Sequence, residues 1–195
     1  MSTTQPIRDE KNIIAIMDFY YQQRQYRNYL LINMGIYTAL RISDLLSLIW
    51  DDIYDFEKRR FRKTITITEE KTGKSKIVAL NKDVIKALQI YKNAASIKIY
   101  DRGRFLFENK RTGKAISRVQ GYRIIRAASD ALKFDERVSC HSLRKTFGYH
   151  AWKSGVSPAV IMEIYNHSSL AVTRRYLGIT QDDKNAVYLN LKFSA

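Results

Sequence analysis

Six residues in a fixed order, Arg41, Lys71, His141, Arg144, His167 and Tyr176, carry the chemistry open to this chain. Arginine forks bind phosphate oxygens bidentately. Lysine and histidine supply and remove protons, and a tyrosine hydroxyl can form a covalent intermediate. Together they are a complete set of parts for cutting a phosphodiester without metal. The last four stand in two tight contexts, Cys140-His-Ser-Leu-Arg-Lys-Thr-Phe147 and Asn166-His-Ser-Ser-Leu-Ala-Val-Thr-Arg-Arg-Tyr176. His141 and Arg144, three apart on a helix, share a face and can reach one phosphate.

Taken singly, each residue has a plainer reading. A helical His-x-x-Arg is usually a solvated face. Arg41 reads as a cation at a helix C-terminus, stabilised by the macrodipole, and Lys71 as a hairpin-tip lysine in water. Tyr176 is one of 13 tyrosines, singled out only by its place nine residues after His167. His150, on the apolar face of its helix, reads as a packing histidine. The order of the segments, rather than any one residue, lifts the set above coincidence.

Two prolines and eight glycines punctuate the chain, so helices should dominate. Apolar spacing predicts a helix over 9–24 and a more hydrophobic one over 26–40. Ser43 can cap the next, 44–50, with Asp51, Asp52 and Asp55 in a polar connection. The β-branched runs 64–68 and 76–80 flank Lys71-Thr-Gly-Lys74 and read as a hairpin with Lys71 at or near its tip. Helices are expected over 82–95, 117–132 and 141–154, the last ended by Gly155. Ser157-Pro158 opens another that closes at Asn166. A short helix from about Ala171 carries Tyr176, and 181–195 is a helix or an extended arm. The stretch 102–126 is strongly basic, eight Lys and Arg facing Glu108 alone, with Phe105-Leu-Phe107 as its core segment. The fold class is mainly α with a small antiparallel β-hairpin.

With 34 Lys+Arg against 19 Asp+Glu, the net charge is +15. Such an excess opposes compaction and is the footprint of a polyanionic partner. A single cysteine, Cys140, excludes an internal disulfide framework and fits a reducing compartment. It reads as a small buried side chain. No run approaches the roughly 20 apolar residues of a membrane span, and residues 1–6 lack the regions of a signal peptide. A cytosolic protein with no membrane partner is expected.

These boxes resemble the tyrosine recombinases, the phage integrase family. Tyr37-Thr-Ala-Leu-Arg-Ile-Ser-Asp44 looks like the family's first arginine box, and Lys71-Thr-Gly matches its hairpin lysine. His141-Ser-Leu-Arg144 matches its His-x-x-Arg box, and Asn166-His-Ser-Ser169 with Arg175-Tyr-Leu177 matches its late histidine and nucleophile. The resemblance covers about residues 6–180. Ala39 stands where the family prefers glycine, Asp44 where glutamate is commoner, and Tyr165-Asn166 replaces the usual Leu-Gly. Asparagine tolerates the left-handed conformation that ends a helix, so that turn should survive.

The resemblance implies the tyrosine recombinase catalytic-domain fold over 1–180, in a bacterial or phage-encoded protein. A tail, 181–195, is either exchanged between protomers or packed on its own chain. The family's N-terminal core-binding clamp has no counterpart here, as in an excised domain or a minimal member. By resemblance, Tyr176 attacks the scissile phosphate and leaves a 3′-phosphotyrosyl link and a free 5′-hydroxyl. Arg41 and Arg144 hold the non-bridging oxygens, fixed donors in that role supplying on the order of 3–4 kcal/mol each. Lys71 is the acid for the departing 5′-oxygen, His141 helps remove the tyrosine proton, and His167 donates a hydrogen bond to the phosphate. No cofactor, metal or ATP is called for. The implied partners are double-stranded DNA, three further copies in a homo-tetramer on two sites, and accessory DNA-bending proteins.

Other readings explain less. Gly73-Lys74-Ser75 lacks the glycine at position 68 that a phosphate loop needs. Asp51, Asp52, Glu69 and Glu70 could ligate two metals in a nuclease. The first pair is expected in a loop and the second at a hairpin tip, where solvation accounts for them. Residues 157–178 suit a helix-turn-helix regulator, which leaves the phosphate-binding set without a role. A strand-relaxing topoisomerase shares the chemistry but matches the boxes less closely.

Overall fold

The first helix, α1 (Glu10–Gln22), begins where the Asp9 carboxylate accepts the Lys11 N–H, and its stripe Ile16 and Tyr20 is buried. The computed structural model describes residues 4–135, 137–179 and 181–190. Helix α2 (Tyr26–Tyr37) is buried along the whole run Leu30–Ile36. It is the central rod of the fold and packs on α1, on α5 (Lys82–Ala94) and on α7 (Cys140–Lys153).

Helix α2 stops three residues short of the expected Leu40. The Thr38 hydroxyl donates to the Met34 carbonyl at 2.6 Å, and Ala39 turns into the left-handed region at φ +54°. A β-carbon there costs on the order of 1–2 kcal/mol, which fits a position where the resembling family prefers glycine. The expected helix over 44–50 is also corrected. Helix α3 (Ile42–Leu46) starts directly after Arg41, which occupies its N-cap position, and Ser43 does not cap it. The chain leaves the helix because residues 48–51 pair their backbone with 102–106: Leu106 N–H to Leu48 O at 2.7 Å, Trp50 N–H to Arg104 O at 3.0 Å and Asp51 N–H to Arg102 O at 2.9 Å. Asp51 and Asp52 then lie inside a short helix, α4 (Trp50–Ile53), and Asp55 in a strand, rather than in a connection.

Two antiparallel pairs follow. Strand β1 (Tyr54–Asp55) pairs with β2 (Arg60–Phe61). Strand β3 (Thr64–Thr68) pairs with β4 (Ser75–Ala79) in the register Thr64↔Ala79 to Thr68↔Ser75, one residue earlier on the second strand than expected. Alternation turns Ile65 and Ile67 into the core. Asn81 caps α5 through its side chain. The basic stretch is less unopposed than its sequence suggests, since Asp101 and Glu108 both pair with Arg104, and Asp51 with Arg102. Helix α6 (Arg118–Ala131) opens on a reciprocal Ser117–Gln120 cap.

Helices α8 (Pro158–Tyr165) and α9 (Leu170–Leu177) complete the helical layer against α7. Asn166 ends α8 in the left-handed conformation at φ +53°, so the turn survives the replacement of glycine. Residues Gln181–Asn190 form α10, docked on the same chain through Lys153 and Asp183 at 3.2 Å. Tyr188 and Leu189 on it are exposed, whereas Leu191, Phe193 and the Val187 side chain lie outside the described residues. Cys140 is half-buried, and burial pushes its thiol up to about 11. Among the described residues, no helix is long and apolar enough to cross a membrane.

Candidate active site

Arg41 follows the left-handed turn at Ala39 and projects from the start of α3 onto the β3–β4 hairpin. Its Nη1 lies 2.6 Å from Oε2 of Glu69 and 4.0 Å from Asp44. Glu69 is fully buried, which corrects its reading as a solvated tip residue. Its other oxygen takes the Lys76 ammonium at 3.0 Å, and the Thr72 hydroxyl donates to Oε2 at 2.8 Å. Burial opposes the charge, but Arg41, Thr72 and Lys76 together hold the carboxyl down to about 2. Glu69 continues the inward alternation of Ile65 and Ile67, and Lys76 pairs with Ile67 on the same face. That period-two pattern was the signal for both. Asp44, also buried, accepts the Glu70 N–H at 3.1 Å and ties the tip to α3 a second time.

The first turn of α7 presents His141 and, one turn on, Arg144. His141 is exposed at the mouth of the site, yet its imidazole is held below its usual value by desolvation and by the cations Arg144, Lys145, Arg41 and Lys71. Arg144 is 2% exposed despite its charge. Its guanidinium donates to the carbonyls of Ala39 and, at 3.0 Å, Tyr165, and lies 4.5 Å from the Tyr165 ring centroid. An arginine has five N–H donors, so anchoring two of them leaves others for an anion.

Tyr165 is fully buried and joins the remaining parts. Its hydroxyl donates to the Arg144 carbonyl at 2.6 Å, and its ring centroid lies 5.0 Å from that of His167 and 5.1 Å from that of Tyr176. The His167 and Tyr176 rings meet edge-on at 5.0 Å. Thr173, fully buried on α9, fixes His167 through a 3.0 Å contact between its hydroxyl and Nδ1. Desolvation, with Arg144 and Arg41 nearby, brings His167 down to about 4, so it is neutral at pH 7. Burial raises the Tyr176 phenol, and Arg144 pulls it back. The Arg144 guanidinium stands 5.9 Å and the Lys145 ammonium 5.3 Å from the Tyr176 ring centroid.

Five of the six predicted residues thus gather around one place, with the Tyr176 ring against His167 and near the Arg144 guanidinium, and His141 and Arg41 close enough for their charges to be felt there. Lys71 touches none of them: it is exposed on the turn, near enough for its charge to help depress His141. A cleft of about 320 Å³ borders the phenol, lined by His141, Lys145, Arg175 and Tyr176 among others. His150 is a packing and anchoring residue, with Nε2 2.9 Å from the Ile7 carbonyl. The four carboxylates weighed as metal ligands are dispersed, Asp51 on Arg102, Asp52 on the Ile49 N–H, Glu69 on Arg41 and Glu70 exposed on the turn. Among the described residues no three His, Cys, Asp or Glu side chains gather as a metal site.

Known proteins resemble this chain in sequence and in fold. The sequence matches the phage integrase family over residues 8–182. A probable integrase/recombinase of Bacillus subtilis, YoeC, is 36% identical over 188 residues, covering 96% of this chain and 97% of that one. The chain spans about half the length of several other curated relatives. Among solved structures, XerA recombinase superposes with a TM-score of 0.77 at 21% identity, over 98% of this chain and 68% of that one. XerH bound to its palindromic difH substrate, in a post-cleavage complex, gives 0.74 at 18% identity, over 97% and 55%. At such identities the structural likeness establishes the fold, and the sequence match establishes kinship. The chain belongs to the phage integrase family, the tyrosine recombinases.

Proposed function

We propose that this chain cleaves and rejoins double-stranded DNA at specific sites through a covalent 3′-phosphotyrosyl intermediate on Tyr176. The observation that carries the reading is the contact of the Tyr176 ring with His167 and its approach to the buried Arg144 guanidinium within a single chain. In this reading the phenol and the guanidinium that meet the phosphate come from one chain.

In this reading the phosphate enters above Arg144 and Arg41. The Tyr176 oxygen bonds to phosphorus as the bond to the 5′-oxygen breaks. The phenolic proton passes to His141, whose depressed pKa keeps it a base at neutral pH. Lys71 gives a proton to the departing 5′-oxygen, and His167, oriented by Thr173, donates to a non-bridging oxygen. The ester keeps the phosphodiester's free energy, so the 5′-hydroxyl of another strand can reverse the step. No metal or nucleotide enters this scheme. Residues 1–180 form the catalytic unit, and 181–195 is a segment that can pack on its own chain or a neighbour. Assembly as a tetramer on two duplexes, with accessory DNA-bending proteins, completes the reading, and the net charge of +15 suits that polyanion.

The test is covalent capture. A randomised duplex library, nicked just downstream of each candidate phosphate, lets the cleaved fragment diffuse away and traps the adduct. A denaturant-resistant protein–DNA adduct that forms equally in excess chelator is expected. Adduct loss in chelator, or release of a 5′-phosphate, contradicts the scheme.

A further inference from the structure

We propose that Glu69 is a positioning residue for strand cleavage: its buried carboxylate, shared by Arg41 and Lys76, registers the hairpin tip so that the Lys71 ammonium meets the phosphate held by Arg41. The proposal rests on the cleavage reading above and goes beyond it in naming what aims the acid.

The hairpin needs such a device. It is a sheet of only two strands, a form marginally stable by itself, and residues 70–75 at its tip are all exposed. Among the described residues the Lys71 side chain has no ion-pair or hydrogen-bond partner. An acid on a loose tip loses the effective concentration that makes proton transfer fast. Glu69 opens the turn two residues before Lys71. Its N–H donates to the Lys74 carbonyl at 3.0 Å, and its own carbonyl accepts the Gly73 N–H at 2.9 Å. The one buried residue of the turn is therefore also the one that closes it.

The carboxylate then fixes that turn to two other parts of the site. Through Arg41, at 2.6 Å, it is joined to the start of α3. Through Lys76, at 3.0 Å, it is joined to an ammonium that also donates to the Ile164 carbonyl at 3.4 Å, in the last turn of α8 before His167. Thr72, the neighbour of Lys71, donates to the same carboxylate at 2.8 Å. Arg41 keeps further N–H donors for a phosphate, so its pairing with Glu69 leaves its grip on the anion intact. The turn that carries Lys71 is thereby tied to Arg41 by one ion pair, anchored towards α8 through Lys76, and closed by two backbone hydrogen bonds.

The test uses the duplex recovered by covalent capture on the wild-type protein, in two forms, with oxygen or with sulfur bridging at the 5′ side of the scissile phosphate. A thiolate leaves without a proton, so only a defect that acts through the acid is repaired. Glu69→Gln is expected to cleave the oxygen duplex at least about 10-fold slower, part of the roughly 10²–10⁴-fold a placed acid supplies. On the sulfur duplex it should come within about 3-fold of wild type, as should Lys71→Ala. In the Lys71→Ala background, Glu69→Gln should cost nothing further. Equal slowing on both duplexes overturns the proposal, as does cleavage at or above the wild-type rate. If Glu69→Gln does not fold, Thr72→Val carries the test: a smaller slowing with the same sulfur rescue supports it, and no rescue overturns it. Failure of the wild-type protein to form any adduct sinks the cleavage reading itself.

Discussion

Gly148, on α7, touches the part of the site that packing controls. A β-carbon built there falls well inside van der Waals contact with the Tyr165 hydroxyl oxygen and 2.9 Å from two ring carbons. The ring cannot retreat, because Arg144, His167, Tyr176 and Phe147 surround it. Gly148→Ala should therefore cost about 1–3 kcal/mol in overpacking. It should lose a further ~1 kcal/mol as the Tyr165–Arg144 hydrogen bond breaks. Alanine returns about 1 kcal/mol of helix propensity, which leaves a net loss of roughly 2 kcal/mol. Urea unfolding should show that loss, and Tm should fall by about 2–4 °C per kcal/mol for a chain of this size. Substituting Tyr165→Leu removes the obstacle, and in that background Gly148→Ala should be neutral or stabilising by up to about 1 kcal/mol. A single variant within about 0.5 kcal/mol of wild type, or an equal cost in both backgrounds, refutes this account of the packing.

Three further outcomes follow from the same geometry. Lys71→Ala should slow cleavage by roughly 10²-fold or more without weakening duplex binding, measured by single-turnover adduct formation beside gel shift. Glu69 falls from its ordinary 4.5 to about 2 on folding. A lowered carboxylate pKa contributes stability above pH 4.5 that is lost as pH drops towards 2. The unfolding free energy of wild type relative to Glu69→Gln should thus shrink by about 2 kcal/mol between pH 6 and pH 3, and a flat difference contradicts the burial of that ion pair. Duplex affinity should fall steeply with salt, since contacts to many phosphates release counterions. An affinity unchanged between low and physiological salt contradicts a DNA partner.

The parts that the sequence disclosed are those whose chemistry sits in short local patterns. His141 and Arg144 share a helical face, His167 follows a cap residue that can adopt a left-handed turn, and alternation marked the hairpin. Other features depended on distant partners. The break after α3 arises because residues 102–106 take the backbone groups of 48–51, a pairing invisible in local propensity. Glu69 was misread because hairpin tips are usually solvated, although its parity with Ile65 and Ile67 pointed inward. Tyr165 was seen as a departure from a leucine, but its role as a platform for Arg144, His167 and Tyr176 needs three helices brought together. Alternation marks Lys76 as inward, but its hydrogen bond to the Ile164 carbonyl joins residues 88 apart and has no local signature.

The central claim is that Tyr176 becomes covalently joined to DNA. Trypsin cuts after Arg175 and after Lys184, giving the peptide Tyr176–Lys184 with a single tyrosine. Digesting the trapped adduct with trypsin and nuclease, then mapping it by mass spectrometry, should place a 3′-nucleotide on that tyrosine. The same adduct should be missing from a folded Tyr176→Phe protein that still binds the duplex. A nucleotide on any other peptide, or an adduct that persists in Tyr176→Phe, contradicts the account.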